Sequence, residues 1–279
     1  MTDPKTTPGV LDTLEILMDE AWRAPETENR DGWMLRSAGS VTQRANSVWP
    51  ASSPAKIDLA LRDAVQWYSS RRQPVIFQLT HRPENAALEA LLDQHRYSRQ
   101  SETVIMTAPA GAPALANTPA PAGRDTGVKI VLADTPSEQW LDLWWRVDGR
   151  GGAAERHIAR SILLGTPSVY ATAVDGSGAA IGTGRITLVE TLGGAGLGGD
   201  KWGGVYGMAV HPEFRRRGVA TAVLWALLDA GRADGAANFW LMVTAANTGA
   251  QGLYGHAGFV EAGRYHYRQA PLHRAPSAC

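Results

Sequence analysis

The chain has 279 residues, 44% of them hydrophobic and 19% charged, and its 27 basic residues balance 27 acidic ones. Such figures describe a soluble globular protein with a proper core, large enough for two modest domains, and exclude a general polyanion binder or membrane-surface protein. The one cysteine is the last residue, Cys279, which excludes internal disulfides and thiolate metal clusters. No apolar run reaches membrane length and no basic segment leads into a hydrophobic core at the N-terminus, so a cytoplasmic location is expected.

In chain order, a helix is predicted over about 10–22, a strand ending at Pro50, a helix over 56–71 and a strand over 74–80. A second helix (84–95) and a strand (99–107) follow. Residues 109–126, rich in Ala, Pro and Gly with almost no large side chains, read as a linker. Beyond it come a strand at 128–132, helices at 136–147 and 154–164, and a hairpin of strands 169–174 and 179–189 turned by Asp175-Gly176-Ser177-Gly178. A Gly-rich loop over 193–204 leads to a strand at 205–210. A helix (216–233), a strand (238–243), a helix (247–257) and a strand (259–268) complete the chain.

The two halves repeat each other. At an offset of 162 residues and with no gap, Pro50 falls on Pro212, Phe77 on Phe239, Leu79 on Leu241, Asn85 on Asn247, Leu91 on Leu253 and Tyr97 on Phe259, with the elements in phase. This register suggests a duplicated module.

The copies part where an anion site would be. Arg215-Arg216-Arg217-Gly218-Val219-Ala220 stands between a strand and a helix with apolar residues at Val219, Ala222, Val223, Ala226, Leu227 and Ala230. The first turn of such a helix leaves N–H donors unpaired, and its dipole favours negative charge there. Gly218 admits an anion close to the backbone, and the arginines add charge-assisted hydrogen bonds. The first half reads Ser53-Pro54-Ala55-Lys56-Ile57-Asp58 instead, with no glycine, a proline lacking its N–H, and an acidic residue in the first turn. Opposite Tyr254 it has Leu92.

The Arg-x-x-Gly-x-Ala pattern resembles the pyrophosphate-binding signature of the GNAT superfamily, the acetyl-CoA-dependent N-acetyltransferases. Asn247, Leu253-Tyr254 and Gly258-Phe259 resemble that family's second landmark. The resemblance covers residues 127–270 and implies an α/β (α+β) fold of two GNAT-like modules. Each would hold a mostly antiparallel mixed sheet flanked by helices, the N-terminal copy truncated and degenerate. The expected domains are 1–108 (degenerate), 109–126 (linker) and 127–279 (acetyl-CoA-binding and catalytic), a layout similar to two-module actinobacterial GNAT proteins.

The resemblance further implies acetyl-CoA as cosubstrate, with no metal. It would be held by the strand Met208-Ala209-Val210, by Arg215, Arg216, Arg217, Gly218, Val219, Ala220 and Thr221, and by Asn247 and Tyr254. The main chain of Met208 and Val210 would hydrogen-bond the pantetheine arm in a gap between splayed strands, and Asn247 can also cap its helix.

Acetyl transfer needs a neutral amine, a donor for the oxyanion and a proton for the leaving thiolate. Tyr254 is the candidate acid. Strand 205–210 holds no carboxylate, so Glu190 on the preceding strand is the candidate base, ahead of Asp200 and Glu213 and level with a water relay. His211 and His256 lack partners at metal-ligand spacing and read as structural or surface residues. Trp144, Trp145, Trp202 and Tyr206 could face an acceptor, although core packing explains each of them as well.

The expected function is transfer of acetyl to a primary amine of a small molecule in a ternary complex. A non-enzymatic acyl-CoA sensor and a protein or peptide N-acetyltransferase are the alternatives. No nucleic-acid or membrane partner is expected, and the protein would be a monomer or homodimer.

Overall fold

The computed structural model describes residues 9–112, 128–191 and 200–271. The linker expected at 109–126 lies outside the described residues beyond Ala112, as does Cys279. The chain forms two compact units whose composition cuts across the expected boundary. One unit comprises Met1–Arg23, Ile105–Val243 and Asn247–Ala262; the other comprises Ala24–Val104, Thr244–Ala246 and Gly263–Cys279.

In the first unit, α1 (Val10–Ala21) buries Leu14, Leu17, Met18 and Ala21, an i, i+3, i+4, i+7 stripe. Its first turn is tied by the Asp12 carboxylate, which accepts from Gly9 N–H at 2.8 Å. The predicted elements of the second half follow as β6 (Lys129–Ala133), α4 (Glu138–Asp148), α5 (Ala153–Leu164), β7 (Ser168–Val174), β8 (Ala180–Glu190), β9 (Lys201–Val210), α6 (Val219–Ala233), β10 (Asn238–Thr244), α7 (Thr248–His256) and β11 (Val260–Gln269). Strands β6, β7, β8 and β9 pair antiparallel, and β10 joins β9 in parallel. This is the mixed, mostly antiparallel sheet expected from the sequence.

Helix α4 starts where Ser137 caps the Trp140 N–H at 3.1 Å. It is pinned to the sheet by Trp140, whose indole N–H is shared by the carbonyls of Ala171 and Gly184, each at 3.1 Å.

The Gly-rich loop expected over 193–204 needs correction at its end. Residues 192–199 lie outside the described residues, but Lys201–Gly204 already belong to β9. Gly203 and Gly204 sit in the strand because a Cβ there would run into the rings of Phe239 and Trp240. The glycines mark close packing, where sequence alone suggests a loop.

In the second unit, β1 (Glu26–Arg30) and β2 (Trp33–Ser37) form a hairpin turned by Asp31 and Gly32, both at positive φ (48° and 84°). Asp-Gly is the turn chemistry that a two-residue hairpin needs; these strands had no counterpart in the predicted elements. The unit continues with β3 (Trp49–Pro50), α2 (Ile57–Ser70), β4 (Ile76–Thr80), α3 (Ala86–Gln94) and β5 (Ser98–Pro109). Its core gathers Trp33, Leu61, Trp67, Tyr68, Phe77, Leu92 and Tyr97.

The last strand of each half joins the other half's elements. The end of β11 pairs antiparallel with β4, Tyr265 facing Thr80 and Gln269 facing Ile76, within the second unit. The end of β5 lies beside β10 in the first unit, where Ala110 N–H donates to the Ala237 carbonyl at 2.8 Å.

Candidate active site

The site grows from a break in strand pairing. Parallel β9–β10 pairing runs from Trp202/Asn238 to Val205/Leu241 and stops, although β9 continues to Val210. Beside that point the β8–β9 register slips between Thr183 and Arg185, since Thr183 faces Ala209 while Arg185 faces Tyr206. The slip is a bulge at Gly207, whose φ of +61° suits glycine. Thr183 donates its hydroxyl to the Gly207 carbonyl at 2.9 Å, and a Cβ on Gly207 would come 3.0 Å from the Trp140 ring.

Past the bulge, His211 N–H donates to the Ile181 carbonyl on the β8 side. Amides alternate along a strand, so those of Val210 and Met208 point the other way, into the gap left by β10. The Ala209 side chain is buried. Backbone donors on a splayed strand, facing an unfilled edge, can take an amide-bearing chain as an added strand would.

The chain then turns through Pro212–Phe214 into α6. Arg216 and Gly218 both take left-handed conformations (φ 61° and 82°). The first ladder bond of α6 runs from Ala222 N–H to the Gly218 carbonyl at 3.0 Å, so the N–H groups of Val219, Ala220 and Thr221 precede it. Arg215, Arg216 and Arg217 are exposed, and among the described residues none has a carboxylate within ion-pairing distance. Arg217 stacks over Phe214 at 5.3 Å. Three exposed cations beside a helix N-terminus can hold an anion. The corresponding helix of the first half, α2, carries Asp58 in its first turn.

Tyr254 on α7 is buried at 7% exposure and packs edge-on to Phe259 at 6.2 Å. Burial, with the charge of Asp148 added to it, pushes its phenol up to about 12. Asn247 caps α7, its side-chain oxygen accepting from Ala250 N–H at 3.1 Å.

The candidate base needs correction. Glu190 ends β8 opposite Lys201, the first residue of β9, with its carboxylate 3.8 Å from the lysine amine. The bulge and the gap lie at the other end of β9, whose ten residues span roughly 30 Å. An antiparallel hairpin carries the end of one strand to the start of the next, so Glu190 is not brought to Tyr254. Asp200 lies at the same distant end, its carbonyl accepting from Thr191 N–H at 3.2 Å. Glu213 instead lines a cleft of about 420 Å³ with His211, Phe214 and α4 residues.

One carboxylate passed over in the sequence does approach the site: Asp148, at the C-terminal end of α4. Desolvation by the surrounding protein raises its carboxyl above the ordinary value, against the pull of Arg150 and Arg215, although part of the residue reaches the surface. Its charge acts on Tyr254 as well. No motif signals it; a helix-terminal Asp among tryptophans reads as surface.

The aromatic residues divide. Trp144 and Tyr206 gather about Trp22, with Trp22 stacked on Tyr206 at 5.5 Å, while Trp202 packs against Trp240. All are buried and serve the core; Trp145 is half-buried. Arg185 is buried among Trp22, Tyr170 and Tyr206. It donates to Ser168 Oγ (2.9 Å) and to the carbonyls of Ala21 (3.0 Å) and Thr166 (3.3 Å).

A splayed pair of parallel strands, bulged before an arginine–glycine turn into a helix, is the fold of solved GNAT structures. The chain is similar to a GCN5-related N-acetyltransferase from Kribbella flavida, with a TM-score of 0.68 at 16% identity, covering 95% of this chain and 97% of that one. It is also similar to a tandem GNAT protein from the clavulanic acid biosynthesis pathway, with a TM-score of 0.60 at 14% identity, covering 98% and 92%. By sequence it is 27% identical over 259 residues to the uncharacterized N-acetyltransferase YobR of Bacillus subtilis, covering 91% of this chain and 96% of that protein. The family described as "Probable histone acetyltransferase Rv0428c C-terminal" matches residues 11–268, and the chain belongs to it.

Proposed function

We propose that the protein transfers the acetyl group of acetyl-CoA to a primary amine of a small molecule, both substrates being bound together. The observation that carries this reading is the gap between β9 and β10, which opens beside the cationic turn of Arg215–Gly218. The pyrophosphate would lie on the N–H groups of Val219, Ala220 and Thr221 among the three arginines, and the pantetheine arm along Met208 and Val210. Asn247 and Tyr254 would flank that arm on α7.

In the reaction the amine nitrogen attacks the thioester carbonyl, the carbon–sulfur bond breaks, and the amine proton leaves. A backbone N–H of β9 donates to the oxyanion. Tyr254, which stays protonated at neutral pH, gives its proton to the departing thiolate. We assign the amine's proton to Asp148, directly or through water, because its charge reaches both Tyr254 and Arg215 and desolvation raises its carboxyl.

A second reading, a protein lysine as acceptor, is favoured by the name of the family, that of a probable histone acetyltransferase. Release of CoA from acetyl-CoA, screened over alkylamines, polyamines, aminoglycosides, amino acids and histone-tail peptides, tests both. Stimulation by small amines alone supports the first reading, and stimulation by peptides alone supports the second. Acetyl-CoA binding without stimulation by any amine leaves the sensor alternative. Asp148→Asn should lower turnover at neutral pH by roughly 100-fold while acetyl-CoA affinity holds; unchanged turnover removes it as the base.

A further inference from the structure

We propose that His81, Glu102 and His266, in the second compact unit, form a binding site for a divalent transition metal ion of the zinc class. The three ligand atoms lie within 4.8 Å of one another. His81 Nε2 is 3.0 Å from His266 Nδ1 and 3.2 Å from Glu102 Oε1. Ligands at 2.0–2.1 Å around a tetrahedral ion stand about 3.3 Å apart, so two of the three edges already have the required length. Two imidazoles and one carboxylate suit Zn²⁺, Co²⁺ or Ni²⁺; Mg²⁺ and Ca²⁺ prefer all-oxygen sites.

The donors rest on strands. His81 follows β4, and its N–H donates to the Arg264 carbonyl at 2.9 Å, carrying the β4–β11 pairing one residue further. Glu102 belongs to β5 and His266 to β11. Behind the ring of His266, which is 1% exposed, Glu89 Oε1 stands 2.8 Å from Nε2, off the axis of an ideal N–H bond. Glu89 is itself paired with Arg268 at 2.7 Å. A carboxylate behind a ligating imidazole is the usual support for a metal-bound histidine.

Two imidazole nitrogens 3.0 Å apart need either a proton or a cation between them. Arg99 now stands on the open side, with Nη2 3.0 Å from His81 Nε2 and 3.2 Å from Glu102 Oε2. Its side chain is 54% exposed and can swing out, so it competes with a metal for the same two ligands. The sequence held no sign of this site, because His81 and His266 are 185 positions apart.

The test is equilibrium dialysis of the tag-free full chain against Zn²⁺, with metal analysis and melting curves. The expected result is about one Zn²⁺ retained per chain and a Tm raised by about 5 °C when free Zn²⁺ is a hundredfold above Kd. His81→Ala and Glu102→Gln, both at partly exposed positions, should each lose the retained ion and the Tm shift. Arg99→Ala should bind more tightly than the parent chain, and the Co²⁺ form should show the intense visible bands of a tetrahedral site. Zn²⁺ retained equally by the parent and both ligand variants would overturn the proposal, as would a parent chain that retains none, with a proton alone shared by the two rings.

Discussion

At Gly218 the backbone holds φ 82° as the N-cap of α6, a conformation that costs most L-residues roughly 1–2 kcal/mol. Aspartate tolerates it better than most and is itself a good N-cap. Gly218→Asp should therefore leave the fold intact while placing a carboxylate where phosphate would sit. The expected outcome is loss of the thermal shift given by acetyl-CoA. Lys56→Asp, at the N-cap of α2, should keep that shift; equal effects from both would sink the assignment of a single donor site. For Tyr254→Phe, turnover should fall roughly 100-fold with little change in acetyl-CoA affinity. Because the phenol titrates only near 12, the ratio of parent to variant turnover should stay flat from pH 7 to 10. A ratio collapsing above pH 8 would mean that the phenol loses its proton well below that value, whereas unchanged turnover of Tyr254→Phe would remove Tyr254 as the proton donor.

Among elements, the bulge in β9 positions everything after it. Gly207→Val would force a branched side chain to φ +61° and against the Trp140 ring, an expected loss of roughly 2–4 kcal/mol in denaturant unfolding. Acetyl-CoA affinity should fall further than stability explains, because Met208 and Val210 lose their alignment. The sequence told much about such elements where periodicity or capping decides them. Helix α6 announces itself through its apolar spacing at Val219, Ala222, Val223 and Leu227, and α4 through a helical run at 136–147. It misled where a tertiary neighbour decides: Gly203 and Gly204 read as loop because nothing local reports the rings of Phe239 and Trp240. The site divided in the same way. The arginine turn, Asn247 and Tyr254 stand in short motifs, whereas Glu190 is a candidate only as a carboxylate on the preceding strand, and strand direction places it at the far end. Asp148 owes its setting to the fold packed around α4, which no spacing encodes.

For the molecule as a whole, the offset of 162 residues carries the bounds of α3, Ala86–Gln94, onto those of α7, Thr248–His256, and the start of α2 onto the start of α6. We propose on this correspondence that the chain arose by duplication, with the cradle kept only in the second copy. Strands β5 and β11, whose first residues Ser98 and Val260 are matched by the same offset, each end beside a strand from the opposite half. Covalent continuity between the halves is therefore not what keeps them in one particle. A protease site inserted between Ala112 and Val128 and then cut should give two fragments that co-elute and still bind acetyl-CoA. Expressed separately, each fragment should be insoluble until it meets the other. A gene split at that point would act as a complementation pair, in which neither product is a protein without its counterpart.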